Sequence, residues 1–384
     1  MGYEVVRFPY DDTIDADGHV LEPATLWEDY LEAAHRPRAL RIRVDDAGLE
    51  YLEIDGKPSQ RTRDGSLGLL GAMGDVAARP SPERRYATSM PFGAGDARER
   101  LELLDREHLA KCVLYPTIGL LWECELEDPV LTLVYQRAYN RWIADFCRDT
   151  GGRLAPIAHL SLLDPAGAAD ELERAVADGC KGGFVAPFTH SRKPHGHPDH
   201  DPLYARAAAL GVPIAIHPTF EPFWAAPVRF KRIGRAREFF YNVMLRQGVQ
   251  QALLSFIALG TLDRFPGLRL GVLESGAGWI GSFLDRADAV AEVGQGRVAG
   301  LERKPSEMFR AQCFISGDPD ETAAPYIVDH VGPDCFMWAT DFPHPDHPGS
   351  WARALERFVA PLSAETRAKL LGGNVARLYH LDGR

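Results

Sequence analysis

The chain has 384 residues, 45% of them hydrophobic and 25% charged, so it carries enough apolar material for a large core and does not read as disordered. Its formal net charge of −11 argues against a general nucleic-acid binder. MGYEVVRFPYDD lacks the basic-then-apolar order of a signal peptide and no apolar run is long enough to span a membrane, so a cytoplasmic protein is expected.

Short apolar runs alternate with longer helical patterns. The expected strands are residues 13–17, 111–116, 154–160, 182–187, 212–217, 268–274, 312–316 and 335–341. Helical stretches are expected at 130–150, 165–178, 202–210 and 240–265, with a closing helix at 363–379. Stop signals precede the next strand at Gly151-Gly152, Gly179, Gly211 and Pro266-Gly267. Eight strands with intervening helices is the α/β pattern of a (β/α)8 TIM barrel. A doubly wound sheet is disfavoured because no Gly-x-Gly-x-x-Gly follows the first strand. The whole chain then forms one barrel domain. Residues 35–95 form an insertion expected to cover its mouth, with a hairpin around Asp45-Asp46-Ala47-Gly48. A second insertion spans 220–240. The six cysteines (112, 124, 147, 180, 313, 335) form no Cys-x-x-Cys pair and are expected buried and reduced.

Chemistry-bearing residues recur at expected strand ends. Asp17 and His19 close the first strand, two residues apart, so extended backbone points both to one side. His217 ends the fifth strand and Asp341 the eighth. Carboxylate and neutral imidazole suit a borderline divalent metal, so these four residues are the candidate ligands. Zn2+ is the first expectation, with Mn2+ or Fe2+ as alternatives and one or two ions. Turn capping would explain Asp17 and His19 alone, but not the recurrence at strands five and eight.

IDADGHVLEP, GVPIAIHPTF, LRLGVLESGAGWI, FMWATDFPHPD and LLGGNVARLY, in that order, resemble the amidohydrolase-2 family, the branch of the amidohydrolase superfamily that includes aminocarboxymuconate-semialdehyde decarboxylase. The resemblance implies a metal-dependent barrel with ligands at the ends of strands 1, 5 and 8, positions that Asp17, His19, His217 and Asp341 occupy. Many relatives carry His-x-His or Glu-x-His on the first strand; this chain has Asp-x-His. Many decarboxylating relatives carry histidine at the end of strand 6, where this chain has Glu274.

Glu274 would bind metal, bridge two ions or serve as general base for a metal-bound water; the bland alternative is a brace for the backbone of residues 276–278. That departure places hydrolysis first: a metal-activated water attacking an ester, thioester or amide, with Glu274 or Asp341 accepting the proton. Non-oxidative decarboxylation of a hydroxyaryl acid is the alternative. His344, in Asp-Phe-Pro-His, is a candidate catalytic or substrate contact, equally explained by packing. Phe223 and Trp224, beside Arg229, Lys231, Arg232, Arg235 and Arg237, are candidate substrate contacts for a CoA thioester or aromatic acid, against a solvated face or subunit contact. A homodimer is expected, with no nucleic-acid or membrane partner. His159 reads as a core histidine, and no ligand is assigned among His190, His195, His197 and His200.

Overall fold

The computed structural model describes residues 2–225, 230 and 232–381. Arg229 and Lys231 lie outside the described residues. The strands in chain order are β1 (Ile14–Val20), β2 (Arg41–Val44), β3 (Glu50–Ile54), β4 (Lys57–Pro58), β5 (Lys111–Pro116), β6 (Leu154–Pro156), β7 (Ala158–His159), β8 (Gly183–Val185), β9 (Ile214–Ile216), β10 (Leu270–Val272), β11 (Cys313–Gly317) and β12 (Phe336–Trp338).

β1, β5 and β6 pair in parallel, as do β7 to β12 in sequential order. Only Ile157 separates β6 from β7. Its amide donates to Leu114 (3.2 Å) and the next one to Gly182 (3.0 Å), so the two pieces act as one strand. The ring closes where Asp341 N–H donates to Asp17 O (3.0 Å) and His19 N–H to Phe342 O (2.7 Å). Among the described residues this gives eight strand positions around a (β/α)8 barrel, as expected.

Alternation sorts the strand side chains into two layers. Val113, Tyr115, Ile157, Phe184, Ala215 and Met337 fill the barrel, whereas Leu114, Val185, Ile216, Val272 and Trp338 pack against the outer helices. The helix Pro129–Cys147 starts at an Asp128 cap and Pro165–Ala177 at an Asp164 cap, each with proline in its first turn. The stretch 240–265 is not one helix. It divides into Arg237–Met244, Arg246–Ala258 and Thr261–Arg264, with Gly260 in a left-handed turn (φ 66°) before the last. At the other end of the barrel the Tyr379 hydroxyl meets that of Tyr115 at 2.7 Å, so the C-terminal helix plugs the floor.

The hairpin in the first insertion is β2–β3, antiparallel with Arg41 opposite Glu53. Asp45 makes the turn by accepting the Ala47 and Leu49 amides, both at 2.9 Å. β4 adds a third strand too short to read from sequence. All six cysteines are free and buried. Among the described residues no helix is long and apolar enough to cross a membrane.

Candidate metal centre

Two-residue spacing alone does not aim Asp17 and His19. Ile14 and Ala16 face the barrel interior, so strict alternation would turn residues 17 and 19 outward. A β-bulge corrects this: Asp15 pairs with Cys112 and Gly18 with Leu114, three residues against two. The extra residue lets Ala16 and Asp17 both face inward, and His19 follows opposite the interior Tyr115. Gly18 is needed here, because a Cβ would come within 2.5 Å of Cys112 Sγ.

His19 Nδ1 lies 2.7 Å from Pro116 O, and His217 Nδ1 2.7 Å from Pro218 O. A carbonyl only accepts, so each Nδ1 carries hydrogen and each neutral ring presents a lone pair at Nε2. Those lone pairs converge with carboxylate oxygens. His19 Nε2 is 3.5 Å from Asp17 Oδ1 and 2.9 Å from Asp341 Oδ1. His217 Nε2 is 3.4 Å from both Asp17 Oδ1 and Glu274 Oε2. Donors bound at about 2.1 Å around a tetrahedral ion sit roughly 3.4 Å apart, so Asp17, His19 and His217 are spaced for a single cation, with Asp341 adjoining them at His19. Both oxygens of Asp17, both Nε2 atoms and Glu274 Oε2 are buried without hydrogen-bond partners, and the buried oxygens of Asp341 meet imidazole nitrogens. Carboxylates so placed repel one another unless a cation lies between them. The donor set therefore fits a divalent metal.

Asp341 sits in left-handed backbone at φ 56° and Glu274 at φ 41°. Such angles are uncommon outside glycine and cluster at functional sites. Around Asp341 stand two further imidazoles. His344 Nδ1 is 3.0 Å from Asp341 Oδ1 and its Nε2 3.0 Å from Thr117 Oγ1. His347 Nδ1 is 2.6 Å from Asp341 Oδ2, and its Nε2 faces Asp318 at 3.6 Å. Burial opposes ionisation of Asp341, but His344, His347 and His19 outweigh it and hold the carboxyl well below its usual range. Burial likewise opposes protonation of His344 and His347, and Asp341 reverses the balance, raising both. His19 goes the other way: burial, then His344, lowers it and keeps it neutral. Burial raises Glu274 well above the carboxylate range, reinforced by Asp341, Asp346 and Asp17. Sequence reading missed His347 and Asp318; the signal was a second imidazole within six residues of Asp341.

Glu274 does not brace residues 276–278. Glu321 does, accepting the Ala277 and Gly278 amides at 2.7 and 3.0 Å, which leaves Glu274 turned to the cluster. Phe223 and Trp224 stand elsewhere. Arg61 lies 3.8 Å over the Phe223 ring and Arg192 4.6 Å over Trp224, and Trp224 lines a cavity of about 470 Å³ with Glu221, His195 and Gln251. His159 pairs with Glu123 at 2.8 Å and stacks on Phe184. His190, His195 and His200 bond to backbone carbonyls, and His197 accepts the Asp199 amide.

A barrel with buried carboxylates and imidazole lone pairs converging at strand ends belongs with metal-dependent barrel enzymes. The amidohydrolase family model matches residues 126–381, and the chain belongs to that family. Gamma-resorcylate decarboxylase of Rhodococcus jostii (strain RHA1) is 26% identical over 303 residues, 74% of this chain and 87% of that protein. Amidohydrolase map2389c from Mycobacterium avium subsp. paratuberculosis K-10 superposes with a TM-score of 0.78 at 20% identity, covering 96% of this chain and 99% of that one. A dihydroxybenzoic acid decarboxylase from Polaromonas sp. JS666, with bound manganese and 2-nitroresorcinol, gives a TM-score of 0.62 at 17% identity over 98% of both chains. These findings overturn hydrolysis as the leading reading. The gamma-resorcylate decarboxylases, each aligned over 74% of the chain, support the decarboxylase alternative instead, and thioester cleavage falls with hydrolysis.

Proposed function

We propose that this protein is a metal-dependent, non-oxidative decarboxylase of a hydroxyaryl carboxylic acid. The observation that carries the reading is the alignment with gamma-resorcylate decarboxylases over 74% of the chain, joined to a donor set spaced for one cation. Asp17, His19, His217 and Asp341 hold a divalent ion. Manganese, the ion in the Polaromonas structure, is the first choice for reconstitution ahead of zinc. When bound, the ion supplies Lewis acidity toward the substrate carboxylate and its neighbouring hydroxyl oxygen.

The chain's own residues move the proton. Glu274, whose burial favours the protonated carboxyl, donates from Oε2, which faces the cluster, to the ring carbon bearing the carboxylate. The C–C bond then breaks, its electron pair restores the aromatic ring, and carbon dioxide leaves; solvent reprotonates Glu274. His344, fixed between Asp341 and Thr117, orients the substrate. The first insertion reaches the mouth: Leu21 N–H bonds to Ala94 O, Met73 N–H to Pro343 O, and Arg61 to Glu221 O. These contacts support the assignment of 35–95, with the described part of 220–240, as a cover that excludes bulk water.

The test is turnover of a hydroxybenzoate panel, including 2,6-dihydroxybenzoate and 5-carboxyvanillate, with carbon dioxide measured directly. Manganese-loaded protein should release carbon dioxide from at least one member, and chelation should abolish it. No release across the panel, or undiminished release after full demetallation, would refute the proposal.

A further inference from the structure

Asp15 is 2% exposed and lies behind the β1 bulge, outside the cluster. Its Oδ1 accepts two amides, from Asp17 at 3.2 Å and Thr340 at 3.0 Å. Its Oδ2 accepts the Thr340 hydroxyl at 2.5 Å, with the Cys112 thiol at 3.7 Å. The Thr340 oxygen in turn accepts the Phe342 amide at 3.0 Å.

Each bond falls where the backbone departs from regular structure. The Asp17 amide belongs to the bulge, where an N–H is left out of the ladder. Thr340 and Phe342 flank Asp341, whose left-handed φ of 56° persists only if both neighbours are held. One carboxylate thus joins the segment presenting Asp17 and His19 to the segment presenting Asp341. It does so on the seam where the first and last strands meet. Each of the bonds Asp15 makes is donated to it; an amide keeps one accepting oxygen and would present its NH2 to the Thr340 hydroxyl, which must then turn from donor to acceptor.

We propose that Asp15 is a positioning residue that sets the separation of Asp17 and Asp341, and through it the affinity and ligand geometry of the metal centre. This rests on the reading that Asp17, His19, His217 and Asp341 hold a divalent ion. Groups that orient ligands from behind typically tune metal affinity by about 10–100-fold.

The experiment titrates Mn(II) into metal-stripped wild-type, Asp15→Asn, Thr340→Val and Thr340→Ser proteins, following free Mn(II) by electron paramagnetic resonance. The visible d–d bands of the Co(II)-loaded proteins report ligand geometry. Asp15→Asn should weaken Mn(II) binding by about 10–100-fold at unchanged saturating stoichiometry and shift the Co(II) bands. Thr340→Val should weaken it in the same direction, and Thr340→Ser, which keeps the hydroxyl, should return it toward wild type. A folded Asp15→Asn protein with wild-type affinity and spectrum overturns the proposal. If that variant does not fold, equal affinities of the Val and Ser variants overturn it. Wild-type protein that takes up no stoichiometric ion defeats the metal reading and this inference together. Uptake that the variants leave unchanged defeats the inference alone.

Discussion

Glu274→Gln separates proton transfer from ion binding. Glutamine has the same shape, and the turn that follows is braced by Glu321, so the backbone should hold. The Glu274 amide, held by Ser316 Oγ at 3.3 Å, is untouched. Four donors remain for the ion: Asp17, His19, His217 and Asp341. Metal content and KM should therefore stay near wild type, while kcat falls about 10²–10⁴-fold, the usual value of a positioned acid. The pH profile gives a second readout. A donor must be protonated, so wild-type turnover should decline as pH rises through the elevated Glu274 pKa, and the residual rate of the variant should lose that decline. A cation against His217 pulls the same pKa down, which fixes where the decline falls without changing its sign. The assay is carbon dioxide release in buffered D2O and H2O, with deuterium located at the vacated ring carbon. A rate within about threefold of wild type would refute the proton-donor role. Loss of the ion would instead make Glu274 a ligand.

His19→Ala and His217→Ala should each lower bound metal well below one equivalent while far-ultraviolet circular dichroism stays unchanged; full occupancy in either variant removes that residue from the ligand set. Arg61→Ala releases the contact between the two insertions at Glu221 and Phe223, so KM should rise several-fold with metal content constant, and an unchanged KM would argue against the cover. Glu107 is buried against Tyr3 and Trp351, and burial raises its pKa to about 7. An acid raised on folding stabilises fully below its unfolded pKa of about 4.3, and that stability is lost as pH climbs through about 7. Glu107→Gln should thus flatten thermal stability across this window and gain on the order of 3 kcal/mol or less over wild type at pH 8, and parallel melting curves for the two proteins would refute the shift.

Much of the barrel was legible because apolar runs, helix caps and stop glycines agreed with one another along the chain. The strands are shorter than their apolar runs. β9 stops at Ile216 and β10 at Val272, one residue short of His217 and two short of Glu274, which reach the centre from the strand ends. The bulge in β1 was not legible: IDADGH alternates perfectly well without it, and only pairing with β5 shows the extra residue. His347 and Asp318 escaped for a related reason. They come from loops after different strands, and only the closed ring places them on Asp341.

The error over the reaction has a chemical origin. Glutamate beside a metal suggests a base for water, and that association placed hydrolysis first. The candidate ligands themselves are neutral on the point, since an ion held by carboxylates and imidazoles serves hydrolysis and decarboxylation alike. What distinguishes the reactions is the direction in which the neighbouring acid moves its proton. A base must be ionised before it acts, and burial works against ionising Glu274, whereas a cation held by Asp17 and Asp341 would cancel the repulsion those two carboxylates add. An acid facing the same pocket needs the opposite state, which that environment favours. The proposed decarboxylation thus asks of Glu274 the protonated state that its burial favours.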